Sequence, residues 1–338
     1  EGVPPWGRAE RHGRMRVSAG NEPLRQPGDL GGPTCITVGT FDGVHRGHWA
    51  VLSRLREVAD AEGLRSVLVT FDPHPLKILR PEAAPRLLTT SNEKKEILAL
   101  SGLDYAVFLN FTRSLSLYLP EEFVRQVLMA RLGLRYLVVG YDHGFGRGRS
   151  GDVETIAAIG RRFGFEVEVV DRVLMNGDEI SSTRLRRAVE AGDMERATRG
   201  LGRPYALTGV VVHGEGRGRT LGFATANVST AHGDKLLPRE GIYAVRAALR
   251  SFQGPGLLHL GPRPTFRGSP PSIELHLLDF EGDVYGDLVR VEFLTRLRGV
   301  RPFASAAELV DQMRWDRAAA VEYFERGAGR LYMGGSPE

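Results

Sequence analysis

The sequence predicts an α/β domain with a doubly wound parallel sheet, followed by a small antiparallel β-barrel. Two observations carry that expectation. Up to about residue 186, short apolar runs rich in β-branched residues alternate with amphipathic helical patterns, and that alternation builds a parallel sheet flanked by helices. Beyond it, strand patterns follow one another across Gly and Pro turns without intervening helices, as in a small barrel. A chain of 338 residues, 42% hydrophobic and 25% charged, has the size for about two such domains, each with its own core.

Residues 1–33 are rich in Gly, Pro and Arg with almost no periodic apolar pattern, so a flexible extension is expected there. Because the chain opens on Glu1, the internal Met15 is the expected natural start and residues 1–14 an upstream extension. In the first domain, residues 34–186, the predicted strands are 35–38, 66–71, 105–109, 136–140 and 166–170. The predicted helices are 49–61, with Val51, Leu52, Leu55, Val58 and Ala59 on one face; 91–100, opened by a Thr90/Glu93 capping box; 121–132; and 153–163. Residues 187–204 are expected to be a helical linker, on a pattern running from Leu185 to Leu201. The second domain, residues 205–338, has predicted strands at 205–213, 241–248, 257–260, 273–279 and 288–294. A closing helix over 306–323 is expected to pack Leu309, Met313 and Ala320 on the barrel.

Composition narrows the function. The lone Cys35 excludes an intramolecular disulfide and a cysteine-based metal cluster. The chain has no apolar run of about 18 residues and no apolar stretch of signal-peptide type near its start, so a reducing, cytoplasmic location away from membranes is expected. The net charge of +4 arises from 45 basic and 41 acidic residues spread evenly, which is no footprint for nucleic acid. Self-association carries no sequence signal.

The segment CITVGTFDGVHRGHWAVL, residues 35–52, reads as strand, glycine-containing turn and helix. His48 then falls near a helix N-terminus, where unpaired backbone N–H groups and the helix dipole favour an anion. Gly47 lets a phosphate approach the backbone, and His45 and His48 can donate to the same phosphoryl oxygens as charge builds, which is chemistry for nucleotidyl transfer. Two such histidines in isolation also fit an incidental surface turn or a structural metal. A second segment, ISSTRLRRA at 180–188, places Ser181, Ser182, Thr183 and Arg184 at another candidate helix start, where hydroxyls and a guanidinium could hold a triphosphate. Taken alone, it is also an ordinary helix cap.

The two motifs in this order resemble the nucleotidyltransferases with an H-x-G-H signature. TFDPHP at 70–75 and VVGYDHGFGRGRSGD at 138–152 narrow the resemblance to the FMN adenylyltransferase module of bacterial FAD synthetases. That resemblance implies a Rossmann-like domain in which His45, His48 and Arg184 are catalytic. It places Asp142, Arg147, Ser181, Ser182 and Thr183 at ATP; Asp72, Pro73 and His74 near the flavin; and Gly39, Thr40, Phe41, Asp42 and Gly43 in the binding turn. His143 stands where the family commonly has an aromatic residue. The implied step is in-line attack of the FMN phosphate on the α-phosphorus of ATP with release of pyrophosphate, promoted by positioning and charge stabilisation. The phosphate nucleophile is already ionised, so no activated Ser or Cys is needed.

In the second domain, GVVVHGEGRGRTLGFATANV at 209–228 joins a strand to a glycine-rich loop and a Thr-Ala-Asn triplet. The loop alone fits a solvated hairpin turn as well as a cover for phosphates. Thr225 and Asn227 offer neutral oxygens suited to a hard cation such as Mg²⁺. In SIELHLLDF at 272–280, alternation places Glu274 opposite the apolar Ile273, Leu275 and Leu277, either as a solvent-facing residue or as a general base. Together with LGPRPTF at 260–266, these segments resemble riboflavin kinase over about residues 205–325.

That resemblance implies a six-stranded Greek-key barrel with a C-terminal helix. It assigns Mg²⁺ and ATP to Thr225 and Asn227, removal of the ribityl 5′-hydroxyl proton to Glu274, and nucleotide or flavin binding to Gly214, Arg217, Gly218, Arg219, Gly222 and Arg263. Ala224 replaces a usual Pro, and His259 a usual Asn; the first change loosens the backbone ahead of Thr225. The joint expectation is an enzyme that phosphorylates riboflavin to FMN and adenylylates FMN to FAD, both with ATP. The alternatives are an FMN adenylyltransferase whose barrel only binds flavin or regulates, and an adenylyltransferase for another phosphate-bearing substrate.

Overall fold

A computed structural model describes residues 15–19, 30–142, 144–175, 177–213, 225–230, 233–262 and 272–326. The described residues form two compact units that divide after Ser181.

The first unit is built on a parallel sheet of β1 (Arg16–Ala19), β2 (Thr34–Val38), β3 (Arg65–Asp72), β4 (Tyr105–Asn110), β5 (Leu134–Gly140) and β6 (Glu166–Val170), in the spatial order β1-β4-β3-β2-β5-β6. Its helices are α1 (Arg46–Glu62), α2 (Pro75–Leu79), α3 (Ser91–Leu98), α4 (Pro120–Phe123) and α5 (Val153–Phe163). Successive strand residues face opposite sides of the sheet, and each side has its own apolar cluster. Cys35, Leu68, Ala106, Phe108 and Val138 pack with α1 and α3. Ile36, Val67, Val107, Leu137 and Val139 pack with α4, the turn after it and α5. The chain therefore runs outward from β2 through β3 to β4 with helices on one face, then returns to β5 and β6 with helices on the other. The strand order reverses between β2 and β5, and in open α/β sheets ligands bind beyond the carboxyl ends of the strands at such a point. Buried in β2, the Cys35 thiol is pushed up to about 12, chiefly by desolvation, which leaves it protonated and unreactive.

Three elements depart from the sequence pattern. β1 lies inside the segment expected to be a flexible extension: it pairs in parallel with β4, and Met15 beside it is buried. Four residues inside a segment rich in Gly, Pro and Arg are too few to declare a strand locally, and the neighbouring strand supplies the pairing. α1 starts at Arg46, ahead of the predicted 49, because His45 caps it. The predicted helix 121–132 is the short α4 followed by a π-helical segment, Val124–Met129, which buries Val124, Val127 and Leu128. An apolar spacing of three and four fits either kind of turn.

The second unit opens with α6 (Ser182–Ala191) and α7 (Met194–Leu201), separated at Gly192 with φ 78°. The stretch read as a linker is thus a pair of packed helices, and α7 lies against the barrel, burying Met194, Ala197 and Leu201. Beyond the small hairpin β7 (Leu174–Met175) and β8 (Asp178–Glu179) of the first unit, the remaining strands are β9 (Tyr205–Val212), β10 (Ala226–Ser229), β11 (Gly241–Ala248), β12 (Gln253–Gly261), β13 (Ser272–Leu277) and β14 (Leu288–Arg298). They close into an antiparallel barrel, β10-β13-β12-β11-β14-β9. β11, β12 and β13 are consecutive neighbours and β14 returns beside β11, which is the Greek-key order. β10 is absent from the strands expected from the sequence pattern, and pairing with β9 and β13 makes it one. Tyr205, Tyr243 and Phe293 fill the interior at 2% exposure or less.

The closing helix α8 (Ala306–Glu325) docks through Ala320, Val321, Tyr323 and Phe324 onto Ala244, Leu257 and Leu278. Ala320 packs as predicted, whereas Leu309 and Met313 are only half-buried and lie outside that cluster. Asp316 takes the place they were expected to hold. It is buried and receives Nε and Nη2 of Arg298 at 2.8 and 2.6 Å, a bidentate pair that fixes the helix in register on β14.

Candidate functional site

β2, β3 and β5 are adjacent and parallel, so the loops that follow them bring Gly39 to His48, Asp72 to His74 and Asp142 to one edge of the sheet, at the switch point. The first loop is held in a costly shape. Phe41, Gly43 and Val44 all adopt left-handed backbone, with φ of 47°, 82° and 38°. For Phe and for β-branched Val such a conformation costs on the order of 1–3 kcal/mol each and persists only where the surroundings over-determine it.

The surroundings come from residues 88–94. Buried Asp42 accepts from the backbone N–H of Leu88 (3.0 Å) and Thr89 (3.1 Å), and Gly43 N–H donates to the Thr89 hydroxyl (3.1 Å). The carbonyl of Thr40 accepts from the Thr70 hydroxyl (3.1 Å) and from the Lys94 ammonium (2.9 Å). Asp42 therefore clamps the turn rather than presenting its carboxylate outward. Gly39 leaves room for the Phe41 ring, since a Cβ there would lie 2.9 Å from it.

The turn ends on the two histidines. His45 is the N-cap of α1: its Nδ1 accepts from the His48 N–H, and the Nδ1 of His48 accepts from the His45 N–H, both at 3.3 Å. The rings stack with centroids 3.6 Å apart and 16° between their planes, and His48 also touches Phe41, 4.8 Å between centroids. With both Nδ1 atoms accepting, each neutral ring carries its proton on Nε2. Two N–H donors thus stand at the N-terminus of a helix whose backbone already favours an anion. Gly47 has a reason beyond ligand approach: a Cβ would sit 3.2 Å from the His45 ring and press on the stack.

Around this centre, the Asp72–Pro73 peptide is cis, the Asp72 carboxylate accepts from the Ser91 hydroxyl (2.5 Å), and His74 Nδ1 caps α2 by accepting from Leu76 N–H (3.2 Å). Asp142 and Arg147 are exposed, and the Arg147 N–H is tied to the Tyr118 carbonyl (2.9 Å). Tyr141, at the end of β5, donates to Glu179 and stacks under Arg172, which braces the loop. Ser181 closes this unit; Ser182, Thr183 and Arg184 form the first turn of α6 in the other. His143 lies outside the described residues.

Lys94 is a residue beneath the turn that sequence reasoning missed. It is 8% exposed, its ammonium holds Thr40, and burial pushes its pKa below the ordinary lysine value against the raising pull of Asp42 and Asp72. A signal existed: Lys94 lies in phase with Ile97 and Leu98, the buried stripe of α3, where a charge is out of place. Replacing Lys94 with Met is expected to displace the turn and so to lower the activity that the histidine pair supports about 10- to 100-fold. Because the folded pKa is depressed, the unfolded chain binds more protons between that value and 10.5, so wild-type stability gains relative to the variant as pH rises through this window. Thermal unfolding of both proteins from pH 7 to 10 measures the difference; a difference that does not move in favour of wild type would refute the account.

In the barrel, Asn227 on β10 lies directly across from Glu274 on β13, with Thr225 two residues earlier and so on the same face. The alternating Ala226, Val228, Ile273 and Leu275 are buried, so this polar row faces outward. The Ser272 hydroxyl is within hydrogen-bond reach of both the Gly261 carbonyl (3.3 Å) and Glu274 Oε1 (3.4 Å). Gly214, Arg217, Gly218, Arg219, Gly222 and Arg263, with Ala224, lie outside the described residues. Among the described residues no group of three His, Cys, Asp or Glu side chains could hold a metal ion, so a cation here would rest on neutral oxygens and substrate phosphates.

Residues 30–184 match the FAD synthetase family and residues 201–324 the riboflavin kinase family. The chain is 37% identical over 290 residues to the bifunctional riboflavin kinase/FMN adenylyltransferase of Escherichia coli K12, covering 86% of this chain and 92% of that one. It is 39% identical over 288 residues to the protein of the same name from Pseudomonas fluorescens, covering 85% and 92%. A crystal structure described as a macrolide-efflux protein from Streptococcus pneumoniae superposes with a TM-score of 0.80 at 28% identity, covering 90% of this chain and 98% of that one. The efflux role in that description is not carried over; no described helix here is long and apolar enough to cross a membrane.

Proposed function

Because this chain belongs to the bifunctional riboflavin kinase/FMN adenylyltransferase family, phosphorylating riboflavin to FMN and adenylylating FMN to FAD, we propose how its residues divide the two steps. The stacked histidine pair at the N-terminus of α1 carries the assignment of adenylylation to the first unit. There the FMN phosphate oxygen attacks the α-phosphorus of ATP in line, and pyrophosphate departs. His45 and His48 donate from Nε2 to the phosphoryl oxygens where charge accumulates. Asp142, Arg147 and Ser181 serve ATP, and Asp72, Pro73 and His74 the flavin. Asp42 and Lys94 preorganise the turn.

In the barrel, Glu274 takes the proton of the riboflavin 5′-hydroxyl as that oxygen attacks the γ-phosphorus of ATP, releasing ADP. Thr225 and Asn227 fit Mg²⁺, since both offer hard neutral oxygens beside the carboxylate row. When bound, the ion neutralises phosphate charge. A cytoplasmic enzyme with small-molecule partners alone agrees with this chemistry.

Chromatography of riboflavin, ATP and Mg²⁺ with the purified chain is expected to show FMN first and FAD later, with both products lost on adding excess EDTA. If supplied FMN becomes FAD while riboflavin never yields FMN, the barrel does not catalyse.

A further inference from the structure

His259 stands beside the proposed base. Strand register places it directly across from Glu274 on β13, and across from Ile242 on β11 on its other side. Leu258 and Leu260 point into the barrel at 0% exposure, so His259 shares the outer face with Glu274 and Asn227. Directly opposed residues of an antiparallel pair have Cβ atoms roughly 5 Å apart, within reach of an ion pair. The imidazole lies over Gly261, where a Cβ would come within 2.8 Å of Nε2. Three charged groups act on this position from separate elements: Glu274 from β13, Glu240 from the approach to β11, and Arg298 from β14, the last paired with Asp316 of α8.

We propose that His259 is a positioning residue for riboflavin phosphorylation, its charge deciding whether Glu274 stays turned toward Ser272 and the substrate hydroxyl or is drawn across the strand pair into an ion pair. The proposal rests on Glu274 being the base. As a neutral imidazole, His259 leaves the carboxylate where it is, hydrogen-bonded to Ser272. As an imidazolium it draws the carboxylate across the strand pair and away from the substrate, so that the hydroxyl proton has no acceptor in reach and the oxygen cannot attack phosphorus. Burial first, then Arg298, holds the imidazole below the ordinary histidine value, against the opposing pull of Glu274 and Glu240. The kinase is therefore armed at neutral pH and disarmed in acid.

The test compares wild type, His259→Asn and His259→Gln in full-length protein, following FMN formation and FAD formation from supplied FMN across pH. Both variants are expected to match wild type in FMN formation near pH 8, with KM for riboflavin unchanged within about twofold. In both, the acidic limb of kcat for FMN should move down by about one pH unit. FAD formation should keep one profile in all three proteins, which also shows them folded. Coincident acidic limbs, in a protein whose Glu274→Gln variant makes no FMN, would overturn the role of His259 and leave that of Glu274 standing. If Glu274→Gln still makes FMN, the base assignment fails and this inference with it.

Discussion

His48→Ala is expected to lower FAD formation from FMN by about 10²- to 10³-fold in kcat, the cost of removing one preorganised donor to a developing phosphoryl charge, while riboflavin is still converted to FMN. The stacked pair explains why the loss is large. His45 Nδ1 still accepts the backbone N–H of residue 48, but its ring loses the partner it lies against, 3.6 Å away, so the surviving donor is less firmly aimed. The His45 N–H also loses its acceptor, half of the capping box, worth about 1 kcal/mol of stability, which thermal unfolding should register as a small shift. Loss of both activities in a soluble, folded variant would refute the assignment of two separate sites.

Glu274→Gln is expected to give the mirror image. FMN formation should fall about 10²- to 10⁴-fold, the usual contribution of a general base, while supplied FMN is adenylylated at the wild-type rate. The substitution is isosteric, and the amide oxygen can still accept from the Ser272 hydroxyl, so stability should move by less than about 0.5 kcal/mol. Substrate-dependent ADP release measured with riboflavin and pyrophosphate release measured with FMN read the two steps separately. A variant that phosphorylates riboflavin normally would return Glu274 to the status of a solvent-facing strand residue.

Much of this was legible because the chemistry is written locally. The H-x-G-H turn, its strand before and its helix after lie within a single short segment, and the capping box of Thr90 and Glu93 forms as its spacing predicts, with hydrogen bonds of 2.9 and 3.2 Å. Glu274 faces away from Ile273 and Leu275 because alternation along a strand is a property of the chain itself. Other residues had meaning only through distant partners. Asp42 read as part of the binding turn, yet its oxygens are taken by Leu88 and Thr89. β1 and β10 are only four residues each, too short for their own alternation to declare a strand, and pairing with β4 and with β9 and β13 makes them strands.

The sequence by itself determined the order of an α/β unit and a barrel, the strand-turn-helix on which His45 and His48 stand, and the strand face of Glu274, because period and turn chemistry act within a few residues. The tertiary structure alone decided what holds and tunes those groups: Lys94 under Thr40, Asp42 clamped to residues 88–89, the packed α6 and α7, and His259 across from Glu274. Burial, strand order and register arise from contacts between segments far apart in the chain, and no local pattern encodes which segments will meet.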